Sequence, residues 1–343
     1  MKAVDILAKN KKNKSIKRII TITVLVISGL TVVSTVLVGN YLIEFALVTN
    51  NGGENRVVLN EQEVGTVSAA EKSIAENESS AINKRKEWLE EVEPRTNDVE
   101  IQSADGLKLR GHTYKQEEAS SLWTIVVHGY QSDESEAQTT ARYYYKQGYN
   151  VLTMNLRSHG SSEGDYIGMG LLDKDDLIQW TDFIIEENAE AEIVYHGTSM
   201  GGATVLMAAG APNLPDNVKS VISDCAYSSI WGIFTSELDA RFNLPSFPFL
   251  NMGQIMGQVR ASYNIADGDV AKFVEQSDVP ILFIHSEPDD FVPVAMVHEL
   301  YEAKRTGDKD LFITANGTHG QAKYAEPEEY FQRVFAFHSQ YFE

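Results

Sequence analysis

Glu192-Ile193-Val194-Tyr195-His196-Gly197-Thr198-Ser199-Met200-Gly201-Gly202-Ala203 is the stretch on which the reading turns. An apolar run ends in Gly197-Thr198-Ser199-Met200-Gly201. An alanine-rich helical pattern (Ala203, Leu206, Met207, Ala208, Ala209) follows at once. This predicts strand, sharp turn and helix, with Ser199 at the apex. The flanking glycines lack side chains, so strand and helix can approach without collision. The serine hydroxyl is lifted from the sheet edge, and the next N–H lies at a helix N-terminus, where negative charge is favoured. A bare Gly-x-Ser-x-Gly match arises in roughly one chain in ten of this length. Its neighbours must therefore decide its meaning.

On both sides, apolar runs alternate with helical patterns. Residues 122–127 form a near-continuous apolar run ending in His128-Gly129-Tyr130, as a strand buried on both faces would. A polar helix over about 133–146 leads to a strand at 150–156, a loop at 157–164 and an amphipathic helix over 170–187. Beyond the apex come strands at 218–224, 280–285 and 311–314, a helix near 294–305 and a closing helix through Phe342. Upstream, residues 99–102 and 107–114 flank Ala104-Asp105-Gly106, a hairpin signature. Repeated βα units of this kind predict a mostly parallel sheet with helices on both faces. Residues 226–272 break the alternation with Trp231, Phe234, Phe242, Phe247, Phe249, Met252 and Met256. They read as a cap over the sheet edge, with Trp231, Phe234, Phe247, Phe249 and Met252 expected to line a substrate pocket.

The N-terminal quarter differs. Residues 1–18 carry seven Lys or Arg against Asp5 alone, and residues 19–43 carry no charge. At about 1.5 Å per residue that run exceeds the roughly 30 Å hydrocarbon core of a bilayer. The basic flank predicts an uncleaved signal anchor, with the N-terminus cytoplasmic and everything after Glu44 outside. Residues 44–67 read as a polar linker. Ser68-Ala69-Ala70-Glu71 then opens a helix as a capping box, with Ile74, Ile82, Leu89 and Val92 as its apolar stripe and Pro94 as its stop. The expected domains are thus 1–18 basic head, 19–43 membrane span, 44–95 linker and amphipathic helix, and 96–343 catalytic domain.

Net charge is −20, and beyond residue 18 there are 22 Lys or Arg against 48 acids. Such a body does not bind nucleic acid non-specifically. The single cysteine, Cys225, excludes an internal disulfide and reads as a small core residue. No His, Cys or acid cluster has metal spacing, and no glycine-rich phosphate loop is present. Neither metal nor cofactor is expected. Asp173-Lys174-Asp175-Asp176 reads as a solvated helix start rather than a calcium loop.

A serine hydroxyl needs a base and an orienting acid to act as a nucleophile. In a parallel sheet these come from loops at the C-terminal strand ends. The loop Ser286-Glu287-Pro288-Asp289-Asp290 supplies Asp289 as the first choice of acid and Asp290 as the second; Asp224 is a third site. The loop Ala315-Asn316-Gly317-Thr318-His319-Gly320 supplies His319 as base. Met200 and Tyr130 are the expected N–H donors for a developing oxyanion. His128, His196 and His285 read as structural groups, His159 as a loop hydrogen bonder, and His112, His298 and His338 as surface or helix residues.

Taken together, His128-Gly129, Arg157-x-His159-Gly160-x-Ser162, Gly197-x-Ser199-x-Gly201-Gly202, His285-x-x-x-Asp289-x-x-Val292-Pro293 and His319-Gly320 resemble the α/β-hydrolases. The nearest likeness is to the membrane-anchored bacterial group related to serine aminopeptidases, esterases and lysophospholipase-like hydrolases. The resemblance spans about residues 95–343 and departs from the family pattern at Ser286, where Gly is usual. It implies an α/β-hydrolase fold with an eight-stranded sheet and a small cap after strand 6. It also implies Ser199 as nucleophile, His319 as general base and acid, and Asp289 as orienter. The expected function is cleavage of acyl, lipid or aryl carboxylic esters through an acyl-enzyme outside the membrane. An aminopeptidase-like peptidase, an envelope acyltransferase and a non-catalytic binding protein are the alternatives.

Overall fold

No charge and no proline interrupts residues 19–43, so the backbone ladder runs unbroken through α1 (Lys2–Leu47). In the computed structural model, which describes residues 2–49 and 68–342, its stretch Asn13–Leu47 contains an 18-residue window of mean hydropathy 2.3 and is long enough to cross a bilayer. Most of the linker expected at 44–67 lies outside the described residues.

Ser68 caps α2 (Ala69–Val92): its Oγ accepts the Glu71 N–H at 3.1 Å, and the Glu71 carboxylate accepts the Ser68 N–H at 2.6 Å. The buried stripe is Ile74, Ala81, Trp88 and Val92. It departs from the expected Ile82 and Leu89 by one residue, because Trp88 is drawn in against Tyr114 and Tyr145 with ring centroids at 4.8 and 5.6 Å. The helix therefore docks on the sheet unit instead of standing away from it.

β1 (Thr96–Gln102) and β2 (Lys108–Tyr114) form the hairpin, with Gly106 at φ +93° in its turn. The remaining elements alternate: β3 (Leu122–Val127), α3 (Glu134–Tyr145), β4 (Asn150–Met154), α4 (Asp173–Glu187), β5 (Glu192–Thr198), α5 (Met200–Ala209) and β6 (Val218–Asp224). After α6 (Ile230–Phe242), α7 (Ser246–Arg260) and α8 (Val270–Gln276) come β7 (Ile281–Ser286), α9 (Ala295–Ala303), β8 (Lys309–Thr314), α10 (Ala322–Ala325) and α11 (Pro327–His338). The sheet order is β1-β2-β4-β3-β5-β6-β7-β8. β2 pairs antiparallel with β1 and β4, and every later pairing is parallel, so the eight-stranded sheet is mixed.

One layer of the core joins Trp88 and Val92 of α2, Ala137, Ala141 and Tyr144 of α3, and Tyr330 and Val334 of α11 over Val126, Val194 and Ile222. The helix read as polar at 133–146 thus buries a small-residue and tyrosine face. Elsewhere α5 packs on α4 and α8, and α8 on α9. That packing ends the excursion expected at 226–272 before Val270.

The chain divides into two units: residues 1–46 with 244–264, and residues 47–243 with 265–343. In the first, the C-terminal end of α1 meets α7. A Cβ on Gly39 would stand 2.5 Å from the Met252 carbonyl oxygen, so only glycine fits there. Arg260 reaches Asn40 Oδ1 at 3.1 Å and pairs with Glu44.

Candidate active site

β5 ends at Thr198 and α5 begins at Met200, which leaves Ser199 alone to make the turn, at φ 57° and ψ −118°. Such a backbone costs on the order of 1–3 kcal/mol in a non-glycine residue. The glycines around it make room. A Cβ on Gly197 would lie 2.1 Å from the Gly201 carbonyl oxygen, and one on Gly201 would lie 2.3 Å from that of Val127. The Ser199 N–H donates to the Asp224 carbonyl at 2.7 Å, pinning the apex to β6.

Three loops meet at this point. His319 Nε2 lies 2.7 Å from Ser199 Oγ, and His319 Nδ1 lies 2.8 Å from Asp289 Oδ2. Asp289 is fully buried, and its Oδ1 accepts the N–H groups of Phe291 and Val292 at 2.9 and 2.8 Å. His285 Nε2 stands 3.2 Å from Asp289 Oδ2 and 2.9 Å from the Val292 carbonyl. Burial would raise the Asp289 pKa, but His285 and His319 outweigh it and hold the carboxyl well below the usual carboxylate range. Burial works against a charged His319, yet the Cys225 sulfur and the Asp289 carboxylate raise its pKa well above that of free imidazole. Asp290 makes no contact with His319 in this relay. Asp224 instead accepts the Tyr330 hydroxyl at 2.9 Å, deep under the sheet edge.

Met200 opens α5, where first-turn N–H groups have no intrahelical acceptor. Gly129, next to Tyr130, is so near that a Cβ on it would be 3.3 Å from Ser199 Cβ. Both expected donors thus belong to segments that adjoin Ser199. Ser286, the departure from the family pattern, accepts the Thr314 hydroxyl at 3.0 Å and leaves the acid loop undisturbed.

A cavity of about 240 Å³ opens on Ser199 and His319, walled by Gly129, Tyr130, Phe291, Lys323 and Tyr324, with Glu78 and Glu136 contributing carboxylates. Of the residues expected to line it, Trp231 and Phe234 do not, and Phe247, Phe249 and Met252 belong to the other unit. Phe247 is 75% exposed, Met252 lies on Gly39, and Trp231 and Phe234 are half-buried on α6. Composition located the apolar insertion but carried no information on which way its side chains point.

Several residues at the site escaped the sequence reading. Cys225 is buried at φ +50°, its Sγ 4.0 Å from His319 Nε2, and burial pushes its thiol up to about 11. Buried Lys323 stands 3.3 Å from Thr198 Oγ1 and 3.8 Å from Glu136 Oε1. Its position four residues after His319 was the available signal. Glu78 had none, being 121 positions from Ser199 in sequence. Cys225, Asp289 and His319 place potential metal donors within 4.8 Å of one another, but both His319 nitrogens already face Ser199 and Asp289.

Two readings elsewhere are corrected. Asp173 and Asp176 are buried, not solvated, because Arg157 enters between the loop and α4 and chelates Asp176 at 2.8 Å through two nitrogens. His338, expected as a surface or helix residue, ends α11 and is buried against Tyr144 and Tyr149, so only the surface alternative is set aside.

Comparison with known proteins agrees with this geometry. Residues 121–248 match the family described as serine aminopeptidase, S33. The uncharacterized protein YqkD of Bacillus subtilis is 31% identical over 223 residues, covering 65% of this chain and 72% of that protein. The uncharacterized membrane protein YNL320W of Saccharomyces cerevisiae is 28% identical over 182 residues, 51% of this chain and 57% of its own length. Among solved structures, the Pyrococcus furiosus esterase Pf2001 superposes with a TM-score of 0.61 at 23% identity, over 74% of this chain and 94% of that one. The Pyrococcus horikoshii acylaminoacyl peptidase gives 0.55 at 19% identity, over 72% of this chain and 42% of that one. At these identities the superpositions show the fold.

Proposed function

Since this chain belongs to the α/β-hydrolases related to the serine aminopeptidases, we propose that it cleaves carboxylic esters through a Ser199 acyl-enzyme, held at the outer face of a membrane by α1. The observation that carries this is the unbroken relay Ser199–His319–Asp289 facing a cavity.

In the proposed reaction His319 Nε2 takes the Ser199 proton as Oγ attacks the carbonyl carbon. The carbonyl π pair moves to oxygen, where the N–H groups of Tyr130 and Met200 receive the negative charge, each worth roughly 3 kcal/mol of barrier. Collapse expels the alkoxide, which takes the proton from His319. Water then loses a proton to His319, attacks the acyl carbon and releases the acid, and Ser199 regains its proton. Asp289 holds the imidazole in register and stabilises its cationic form.

An alkoxide leaves more readily than an amide nitrogen, so the relay needs no further group for esters. A peptidase acting from the amino end needs a carboxylate for the substrate ammonium. Glu237, the cap carboxylate at hand, is tied to Arg241. Glu78 at the cavity wall supports peptide cleavage as the second reading. Short-chain p-nitrophenyl esters against aminoacyl anilides separate the two, and Glu78→Gln selectively impairs the anilides only under the second. Failure of a fluorophosphonate probe to label wild type, or equal labelling of Ser199→Ala, overturns both.

A further inference from the structure

We infer that α7 is a second membrane contact: its tip at Phe247 enters the hydrocarbon of the outer leaflet beside α1, and Ile255 and Val259 lie at the level of the lipid headgroups. This rests on the reading that α1 spans the membrane. Three observations within the unit formed by residues 1–46 and 244–264 carry it.

The first is exposure. Among the described residues, the large hydrophobic side chains left exposed are those along α1 and only three others: Phe247 at 75%, Ile255 at 49% and Val259 at 71%. All three belong to α7. The second is charge. No Asp, Glu, Lys or Arg occurs from Phe242 to Val259, in a chain that is 23% charged. Asn251 and Gln258, exposed among the three, are neutral.

The third is depth. Arg18 ends the basic head, and about 20 residues of helix beyond it cover the roughly 30 Å of hydrocarbon. The outer boundary thus falls near Gly39. That is where α7 packs: Met252 and Met256 lie on Gly39, Gly253 on Leu42 and Gly257 on Ile43. Arg260 then pairs with Asn40 and Glu44. These contacts advance together along both helices. The charged end of α7 therefore lies with Glu44 at the water side, and Phe247, extended at φ −92° and ψ 133° immediately before the helical run from Pro248, lies at the opposite end, on the hydrocarbon side of Gly39. The apolar face of α7 continues the lipid-facing surface of α1, which names a bilayer as its occupant.

The test uses the full chain reconstituted in phosphatidylcholine vesicles, with and without nitroxide on the acyl chains. An environment-sensitive fluorophore is placed on Phe247→Cys, Ile255→Cys, Val24→Cys within the span, and Glu117→Cys, whose native side chain is 86% exposed. Buried Cys225 stays unlabelled, as wild type verifies, and fluorophosphonate labelling confirms that each variant is folded. Lipid quenching at Phe247 should approach that at Val24, and quenching at Ile255 should fall between Val24 and Glu117, each exceeding Glu117 by at least about threefold. Quenching at Val24 with none at Phe247 and Ile255 overturns the inference while leaving the span intact. Labels shielded from both nitroxide lipid and aqueous iodide would show a protein seated there, such as a second copy, and also overturn it. Absence of quenching at Val24 removes the span and this inference together.

Discussion

Glu136 Oε2 lies 2.9 Å from the Gly129 N–H, so the residue preceding Tyr130 is tied to the first turn of α3. Burial would raise the Glu136 pKa, but Lys323 outweighs it and keeps the group below its ordinary value. Under the proposed mechanism the carboxylate thus holds one side of the oxyanion site without touching the reacting atoms. Glu136→Ala should lower kcat on a p-nitrophenyl ester by roughly tenfold to a hundredfold, a part of one donor's worth. KM should change little, and Glu136→Gln, which keeps an acceptor, should recover most of the rate. A loss confined to KM would contradict this role.

Asp289 accepts from His319 on one oxygen and from two backbone N–H groups on the other. Asp289→Asn keeps the shape but turns a donor toward His319 or the backbone. We expect kcat to fall by about 10⁴-fold, as loss of the orienting acid does in other serine relays. Fluorophosphonate labelling of Ser199 should slow in parallel. Asp290→Asn should leave both within a factor of about three. Equal losses at the two positions would reassign the acid.

The base form of His319 is the working form, and its pKa is raised by groups that favour the cation. Activity should therefore fall on the acid side with an apparent pKa above the roughly 6.5 of free imidazole. Asp289, held low, stays ionised across that limb. The pH profile of kcat/KM reads this directly. A limb lying below that of free imidazole would show that the relay does not favour the cation.

Burial raises the Asp173 carboxyl to about 7, with Arg157 opposing the shift, and Asp173 Oδ1 has no hydrogen-bond partner. The native state then keeps a proton that the unfolded chain releases near pH 4. Stability from this group is accordingly lost as pH rises from about 4 through 7. The denaturant midpoint should drop between about pH 4 and pH 7 and level off above, and Asp173→Asn should flatten the drop. Arg157→Ala strands Asp176 beside it and should cost about 3–5 kcal/mol.

The strand–apex–helix stretch was legible because steric necessity wrote it locally: Gly197 and Gly201 stand where any Cβ would strike a carbonyl. The sheet was legible for a similar reason, since strands buried on both faces read as unbroken apolar runs. Asp289 and His319 follow from topology, which delivers the ends of β7 and β8 to the edge that holds Ser199. What stayed hidden depends on contacts between distant segments. Trp88 displaced Leu89 from the buried stripe of α2 because Tyr114 and Tyr145 offered it a partner. Asp173 and Asp176 looked like a solvated cluster because nothing nearby in sequence announces Arg157 as their counter-ion. Trp231 and Phe234 stayed ambiguous as well, for an apolar helix face and a pocket wall have the same composition.

α2 follows α1 in the chain and precedes β1, yet it sends Trp88 into the core and Glu78 to the cavity. The stretch between the apolar helix and the sheet is therefore no free leash but a part of the folded unit. A fragment beginning at Thr96 would lose Glu78 from the cavity wall and uncover the aromatic seat of Trp88. Under the proposed function, a form freed of α1 should keep all of α2 and its Ser68 cap to stay active.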